Sequence, residues 1–336
     1  MLTDVYPWQQ GIWASLNRLL HAERLPHAML FAAPAGTGKR RLAEAFAARM
    51  LCQAPSIDAA CGHCRGCELL MAGTHPDYYV LSPETDSDKA SKVIKIDQAR
   101  AVVSFASQTA QMQGYRVIII DPADALNTSS ANALLKTLEE PGQRCVFLLL
   151  TNQPTALLAT IRSRCQLLPL SLPSEDDALS WLRPQLSAPA MAETLLGLAR
   201  GAPLAALALS DSPWFVQRQP ILDALLAVGN GTEQPLTAAG QFTKMDPIEQ
   251  ITAWQSLLDD AVQQGLASES PVRHSDLPSL QKLAEINAQC LLETLWQAVE
   301  ARRLLDDTNV AAATILDNLW LHWARATRQG GHHVRG

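Results

Sequence analysis

No apolar run in this 336-residue chain is long enough to span a bilayer, and the opening MLTDVYPWQQ has neither the basic flank nor the apolar segment of a secretion signal. Both absences lead us to expect a cytoplasmic protein. A basic surplus is missing too. With 33 acidic against 27 basic residues the formal net charge is −6, too negative overall to hold nucleic acid by counterion release, so any contact with DNA must be local or shared. Cysteine is sparse, seven in all, and a chain of this length needs no disulfide staples; yet four of the seven crowd into one short stretch. We find no internal repeat and no low-complexity linker. What is present, 48% hydrophobic and 18% charged residues, suits a folded globular chain of two or three domains.

Between residues 28 and 170, short apolar runs alternate with helical patterns. AMLFAA (28–33), DYYVLS (77–82), YRVIII (115–120), CVFLLLT (145–151) and CQLLPL (165–170) read as buried strands, which implies a mostly parallel α/β sheet covered on both faces. After Pro169 the strand signal stops. Ser174 and the acids behind it suit a helix N-terminus, and a second helix ends near Gly201–Pro203, together a small helical lid. From Trp214 onward apolar stripes recur at three- and four-residue spacing, including Leu277 to Asp307 and Ala311 to Thr327, which predicts a separate helical bundle.

The run Ala33-Pro-Ala-Gly-Thr-Gly-Lys-Arg40 follows the first strand and opens a helix, the context and spacing of a Walker A phosphate loop. Gly36, Thr37 and Gly38 would bring backbone amides together on phosphate, and Lys39 would reach the outer phosphates. A glycine-rich turn without a ligand is the plainer alternative. Two departures bear on chemistry. Ala33 replaces the first glycine, and Arg40 stands where a Ser or Thr should ligate magnesium; a guanidinium has no acceptor lone pair. The run VIIIDPADAL (117–126) has a strand ending in Asp121, as a second acidic motif requires, but Pro122 follows where a water-activating Glu usually stands. Loss of a general base alone costs about 10²- to 10⁴-fold in rate.

Cys52, Cys61, Cys64 and Cys67 are spaced so that four thiolates can converge on one tetrahedral ion, zinc being the usual occupant; a closed set of four sulfurs makes the role structural. His63 is a possible substitute ligand, and free thiols are the alternative. Cys145, Cys165 and Cys290 read as small core residues, and Trp296, Trp320 and Trp323 as core or subunit-interface packing.

The stretch SSANALLKTLEEPGQRCVFLLLT, followed by NQPTALLATIRSRCQLLPL, resembles bacterial clamp-loader subunits of the AAA+ superfamily. The resemblance covers nearly the whole chain, the last hundred or so residues more in helical layout than in motifs. Thr128 or Ser129 can cap the helix whose stripe is Ala131, Leu134, Leu135 and Leu138. The family implies an α/β P-loop AAA+ domain over 1–170 with a zinc module at 52–67, a lid over 171–210 and an all-α collar over 211–336. In that family the Ser-Arg-Cys arginine, here Arg164, enters the ATP site of a neighbouring subunit as an arginine finger. An ordinary surface ion pair is the alternative. The lid's sensor arginine is replaced by Leu204. The implied function is a stator within a DNA polymerase III holoenzyme, not an enzyme on its own, with weak or absent ATP/ADP binding. The implied partners are gamma/tau and delta subunits and, through the complex, the beta sliding clamp and primed DNA. Two rivals remain: a self-sufficient AAA+ ATPase, of the clamp-loader motor or branch-migration kind, and a zinc-dependent DNA-binding module.

Overall fold

The computed structural model describes residues 2–84, 93–112, 114–266 and 273–330. They divide into two compact units, Met1–Ala178 and Leu179–Gly336.

The first unit is built on five parallel strands, β1 (Ala28–Ala32), β2 (Tyr78–Leu81), β3 (Arg116–Ile120), β4 (Cys145–Thr151) and β5 (Gln166–Pro169), in the order β2-β3-β4-β1-β5. Its helices are α1 (Gln10–His21), α2 (Lys39–Leu51), α3 (Arg65–Met71), α4 (Ile96–Ala106), α5 (Thr128–Glu139), α6 (Ala159–Arg162) and α7 (Glu175–Leu182), in which the division between the units falls. The inner strands β1, β3 and β4 are buried and almost wholly apolar because both faces are covered, whereas β5, read from the sequence as buried, is an edge strand and largely exposed. Met29, Phe31, Val117, Ile119, Val146, Leu148 and Leu150 point to one side, where they meet Trp13, Leu42 and Phe46 of α1 and α2. Leu30, Ile118, Ile120, Phe147 and Leu149 point to the other, against Val102, Leu134 and Leu138 of α4 and α5. Each predicted strand appears, shortened by at most a residue at either end.

One buried ion pair ties the far edge together. Arg116 of β3 donates from Nη2 to Asp77 Oδ1 at 3.0 Å, both side chains 1% exposed. The carboxylate also accepts from the amides of Gln111 and Met112, each at 2.9 Å, and the guanidinium stacks 4.2 Å over Phe105.

The second unit is helical: α8 (Ala192–Leu198), α9 (Pro203–Ser210), α10 (Pro213–Gly229), α11 (Pro235–Gln241), α12 (Pro247–Leu266), α13 (Leu280–Ala284), α14 (Ala288–Asp307) and α15 (Ala312–Gly330). Gly201, at φ +81°, turns the chain between α8 and α9, as the Gly201–Pro203 break foretold. Helices α10 to α15 enclose a core in which Trp254 meets Trp320 edge-on at 4.7 Å and Trp323 donates its indole N–H to Leu225 O at 2.8 Å. Among the described residues no single helix is long and apolar enough to cross a membrane.

Two sequence expectations are corrected. Asn127, not Thr128 or Ser129, caps α5: its side-chain oxygen accepts from Ser130 N at 2.8 Å. The stretch from Leu277 to Asp307 is two helices, because Asn287 starts a new one by accepting from Gln289 N. Of the two uses read for the tryptophans, Trp320 and Trp323 take the core, while Trp296 is 62% exposed and outside it. Cys145 and Cys290 are buried and Cys165 half-buried, as small core residues should be.

Candidate functional site

In a parallel α/β sheet the crevice at the carboxyl ends of the strands collects ligands, because loops and helix N-termini converge there. Residues 33–38 leave β1 and enter α2, Asp121 leaves β3, and Asn152 leaves β4, so all three stand at that end. Gly36 and Gly38 adopt φ +78° and +84°, conformations that a side chain rarely tolerates. At Gly38 a Cβ would also lie 2.4 Å from the ring of Tyr6, which covers the loop. Trp8 Nε1 and Gln9 Nε2 both donate to Thr37 O at 3.0 Å.

The two cations of the loop are committed internally. Lys39 is 8% exposed and donates from Nζ to Ala33 O, Pro34 O and Asn152 Oδ1. Burial pulls its pKa down, against the pull of Asp121 and Asp124 in the other direction. Arg40 Nη1 lies 3.3 Å from Asp121 Oδ2, while its Nε holds Glu44 at 2.8 Å. A guanidinium thus sits on the carboxylate that a metal would need. Burial raises the Asp121 pKa, opposed by Arg40 and Lys39. Asp124 accepts from the Thr151 hydroxyl at 2.6 Å, and Pro122 offers no side-chain acceptor. Leu204, in the first turn of α9, is half-buried and apolar.

Arg164 lies elsewhere in the sheet. It follows α6 and precedes β5, whose Gln166 pairs in parallel with Met29 of β1. It therefore stands at the amino ends of the strands, whereas the phosphate loop leaves their carboxyl ends. The five residues of β1, with the turns at its ends, put on the order of 20 Å between the two levels. Its guanidinium is held by Glu139, through Nε at 2.7 Å and through Nη2, and Nη1 donates to Thr160 O at 2.8 Å.

The four cysteines converge. Cys52 follows α2, Cys64 caps α3 and Cys67 lies in its first turn, which brings all four sulfurs within 4.8 Å of one another. Cys52 Sγ is 3.5 Å from Cys61 Sγ and 3.8 Å from Cys64 Sγ, against about 3.8 Å for sulfurs tetrahedrally placed around an ion at about 2.3 Å. Backbone amides of Gln53, Cys61 and Cys64 donate to the sulfurs at 3.2 to 3.4 Å, which stabilises thiolates. The set could hold one metal ion. Burial pushes the Cys67 thiol up to about 12, whereas at Cys64 backbone and neighbouring thiol hydrogen bonds outweigh burial and lower it to about 6. At Gly66 a Cβ would lie 2.6 Å from Leu51 O, so a glycine is needed where α3 crosses the end of α2. His63 is exposed and turned to Cys61 O at 2.7 Å, outside the sulfur cluster.

Sequence reasoning missed Asn152, Glu139 and the Tyr6–Gln9 cover. Asn152 carried a usable signal: a polar residue directly behind a fully buried parallel strand. The other two contacts join distant stretches and left none.

A parallel sheet with a glycine-rich loop after β1 and an acid after β3 has the layout of a P-loop domain, here followed by a helical unit. The family profile described as "DNA polymerase III, delta subunit" matches residues 8–174. The chain is 37% identical to the DNA polymerase III subunit delta' of Pseudomonas aeruginosa over 96% of its own length and 98% of that protein's. It is 40% identical to the delta' subunit of Escherichia coli over 70% of each. The tau subunit of Bacillus subtilis is 37% identical over 47% of this chain and 27% of tau. The chain belongs to the delta prime family of DNA polymerase III clamp-loader subunits.

Proposed function

We propose that this subunit is a stator: it lends Arg164 to the ATP site of a neighbouring gamma/tau subunit while its own phosphate loop turns nothing over. The observation that carries this reading is the placement of Arg164 at the end of the sheet opposite its own loop. A cation on the order of 20 Å away cannot neutralise charge developing there. It can do so for a nucleotide on another chain, and for GTPases such a finger is worth about 10³ to 10⁵ in rate. The closed loop supports the same reading, since Lys39 is tied to Asn152 and Arg40 to Asp121.

The lid over 171–210 and the collar over 211–336 complete the subunit. Through the collar it assembles with gamma/tau and delta subunits in the cytoplasm, and the assembly places the beta sliding clamp on primed DNA. Leu292, Trp296 and Val299 follow one another at four- and three-residue spacing along α14 and are 46%, 62% and 44% exposed, an apolar stripe suited to an assembly contact. The four cysteines hold zinc, which pins the segment between α2 and α3 and has no open position for chemistry.

The test is reconstitution of the complex with wild-type chain and with Arg164→Ala. The substitution should leave assembly intact and lower DNA-stimulated ATP turnover and clamp loading by about 10²-fold or more. Unchanged turnover refutes the finger. ATP hydrolysis by the isolated chain at the rate of a motor subunit would instead favour a self-sufficient ATPase, the reading that Gly36, Gly38, Lys39 and Asp121 support.

A further inference from the structure

Arg164 is held by a carboxylate that nothing in the finger's own task requires. We propose that Glu139 is a positioning residue: it fixes the Arg164 guanidinium in the orientation that a neighbouring triphosphate needs. This rests on the finger reading above and deepens it.

Glu139 is the last residue of α5, and Glu140 and Pro141 end the helix behind it. A carboxylate in the last turn faces the negative end of the helix dipole and is unfavourably placed without a cation nearby. Arg164 supplies that cation from 25 residues further along the chain. The contact also constrains the arginine. Its five N–H groups form a rigid planar fork. Nε and one N–H of Nη2 go to Glu139 Oε1, and Nη1 goes to Thr160 O, so two edges of the plane are tethered. The second Nη2 N–H meets no acceptor among the described residues, and the side chain is 30% exposed. The guanidinium is thus anchored from behind and open at one corner.

An untethered arginine on the surface samples many rotamers, and each must be given up when it meets phosphate. One held on two edges loses little at that moment. Its effect then falls on the chemical step rather than on nucleotide affinity, because the neighbour's own loop binds the nucleotide.

The experiment is a double-mutant cycle in the reconstituted complex, using Glu139→Gln, Glu139→Ala, Arg164→Ala and Glu139→Ala/Arg164→Ala. It reads kcat and KM for DNA-stimulated ATP hydrolysis, with the melting temperature of each chain. We expect Glu139→Gln, which keeps the length and loses the charge, to lower kcat about threefold and Glu139→Ala roughly tenfold, at unchanged KM. The double variant should be no slower than Arg164→Ala alone, since a positioning residue has nothing left to position. Wild-type kcat in both Glu139 variants beside a slow Arg164→Ala overturns the proposal and leaves the finger standing. A faster Glu139→Ala overturns it too, because the carboxylate would then compete with the triphosphate. A further loss of rate in the double variant marks Glu139 as structural and overturns it. Wild-type kcat in Arg164→Ala overturns the finger itself.

Discussion

At the scale of single residues, Lys39 keeps its place in the motif while its ammonium is buried and donates to Ala33 O, Pro34 O and Asn152. Hydrogen bonds to a charged group contribute about 1.5–3 kcal/mol each where they are buried, and the desolvation of the ammonium offsets part of that. Lys39→Met should therefore lower the melting temperature by a few degrees, at about 2–4 °C per kcal/mol in a chain of this size. It should leave ATP turnover by the assembled complex unchanged. A large drop in turnover would show that the loop binds a nucleotide the complex needs. Asp77 predicts a stronger effect. Asp77→Ala strands the buried Arg116 guanidinium and the amides of Gln111 and Met112, which costs about 3–5 kcal/mol. Equilibrium denaturation reads it directly. The departures at Arg40 and Pro122 were legible because each is a local substitution in a spaced motif. The sequence could not reveal that Arg40 would turn onto Asp121, since that depends on the register of β1 against β4 and of β4 against β3.

At the scale of elements, the segment between α2 and α3 has almost no apolar core of its own, so its order rests on the sulfur cluster. If the cluster holds an ion, a chelator or Cys61→Ser should expose the stretch from Cys52 to Cys67 to protease while the sheet stays folded. Resistance equal to that of the untreated protein would show that no ion is held there. A second element carries a pH dependence. His274 is fully buried, its amide on Asp260 at 2.8 Å and its Nε2 beside Ser256 Oγ at 2.9 Å. Burial lowers its pKa to about 4, with Arg218 and Arg273 adding to this and Asp260 and Asp276 opposing it. The folded chain holds this ring neutral, whereas the unfolded chain takes up a proton near pH 6.5. Its contribution is therefore complete above pH 6.5 and lost as the pH falls toward 4, a change of up to about 3 kcal/mol. The neutral His274→Gln variant should flatten stability against pH across that window. Elements were legible wherever burial wrote a run into the sequence, as in β4, whose seven residues are all buried. The break between α13 and α14 was hidden because Leu280, Leu283, Cys290 and Leu291 keep a helical rhythm across it.

At the scale of the whole molecule, a net charge of −6 supplies no overall field for DNA, and α14 carries an exposed apolar stripe. The stripe was half legible. Trp296, Trp320 and Trp323 look alike in sequence, yet two are locked into the core beside Trp254 and the third faces outward with Leu292 and Val299. What separates them is that Trp320 and Trp323 lie on the face of α15 turned into the core and Trp296 on the outer face of α14, a fact of packing that spacing alone does not hold. Trp296 supplies the test. An indole that is 62% exposed contributes little to the fold, so Trp296→Glu should leave the melting temperature within about a degree. In an assembled interface the same side chain would be an anchor, and a carboxylate in its place would be buried unpaired. Such a change costs about 2–4 kcal/mol or more, a loss of roughly thirtyfold to a thousandfold in affinity for the partner subunits. Sedimentation of the mixed subunits measures it. Wild-type association by Trp296→Glu would move the assembly contact to another face of the helical unit and leave the proposed role of Arg164 untouched.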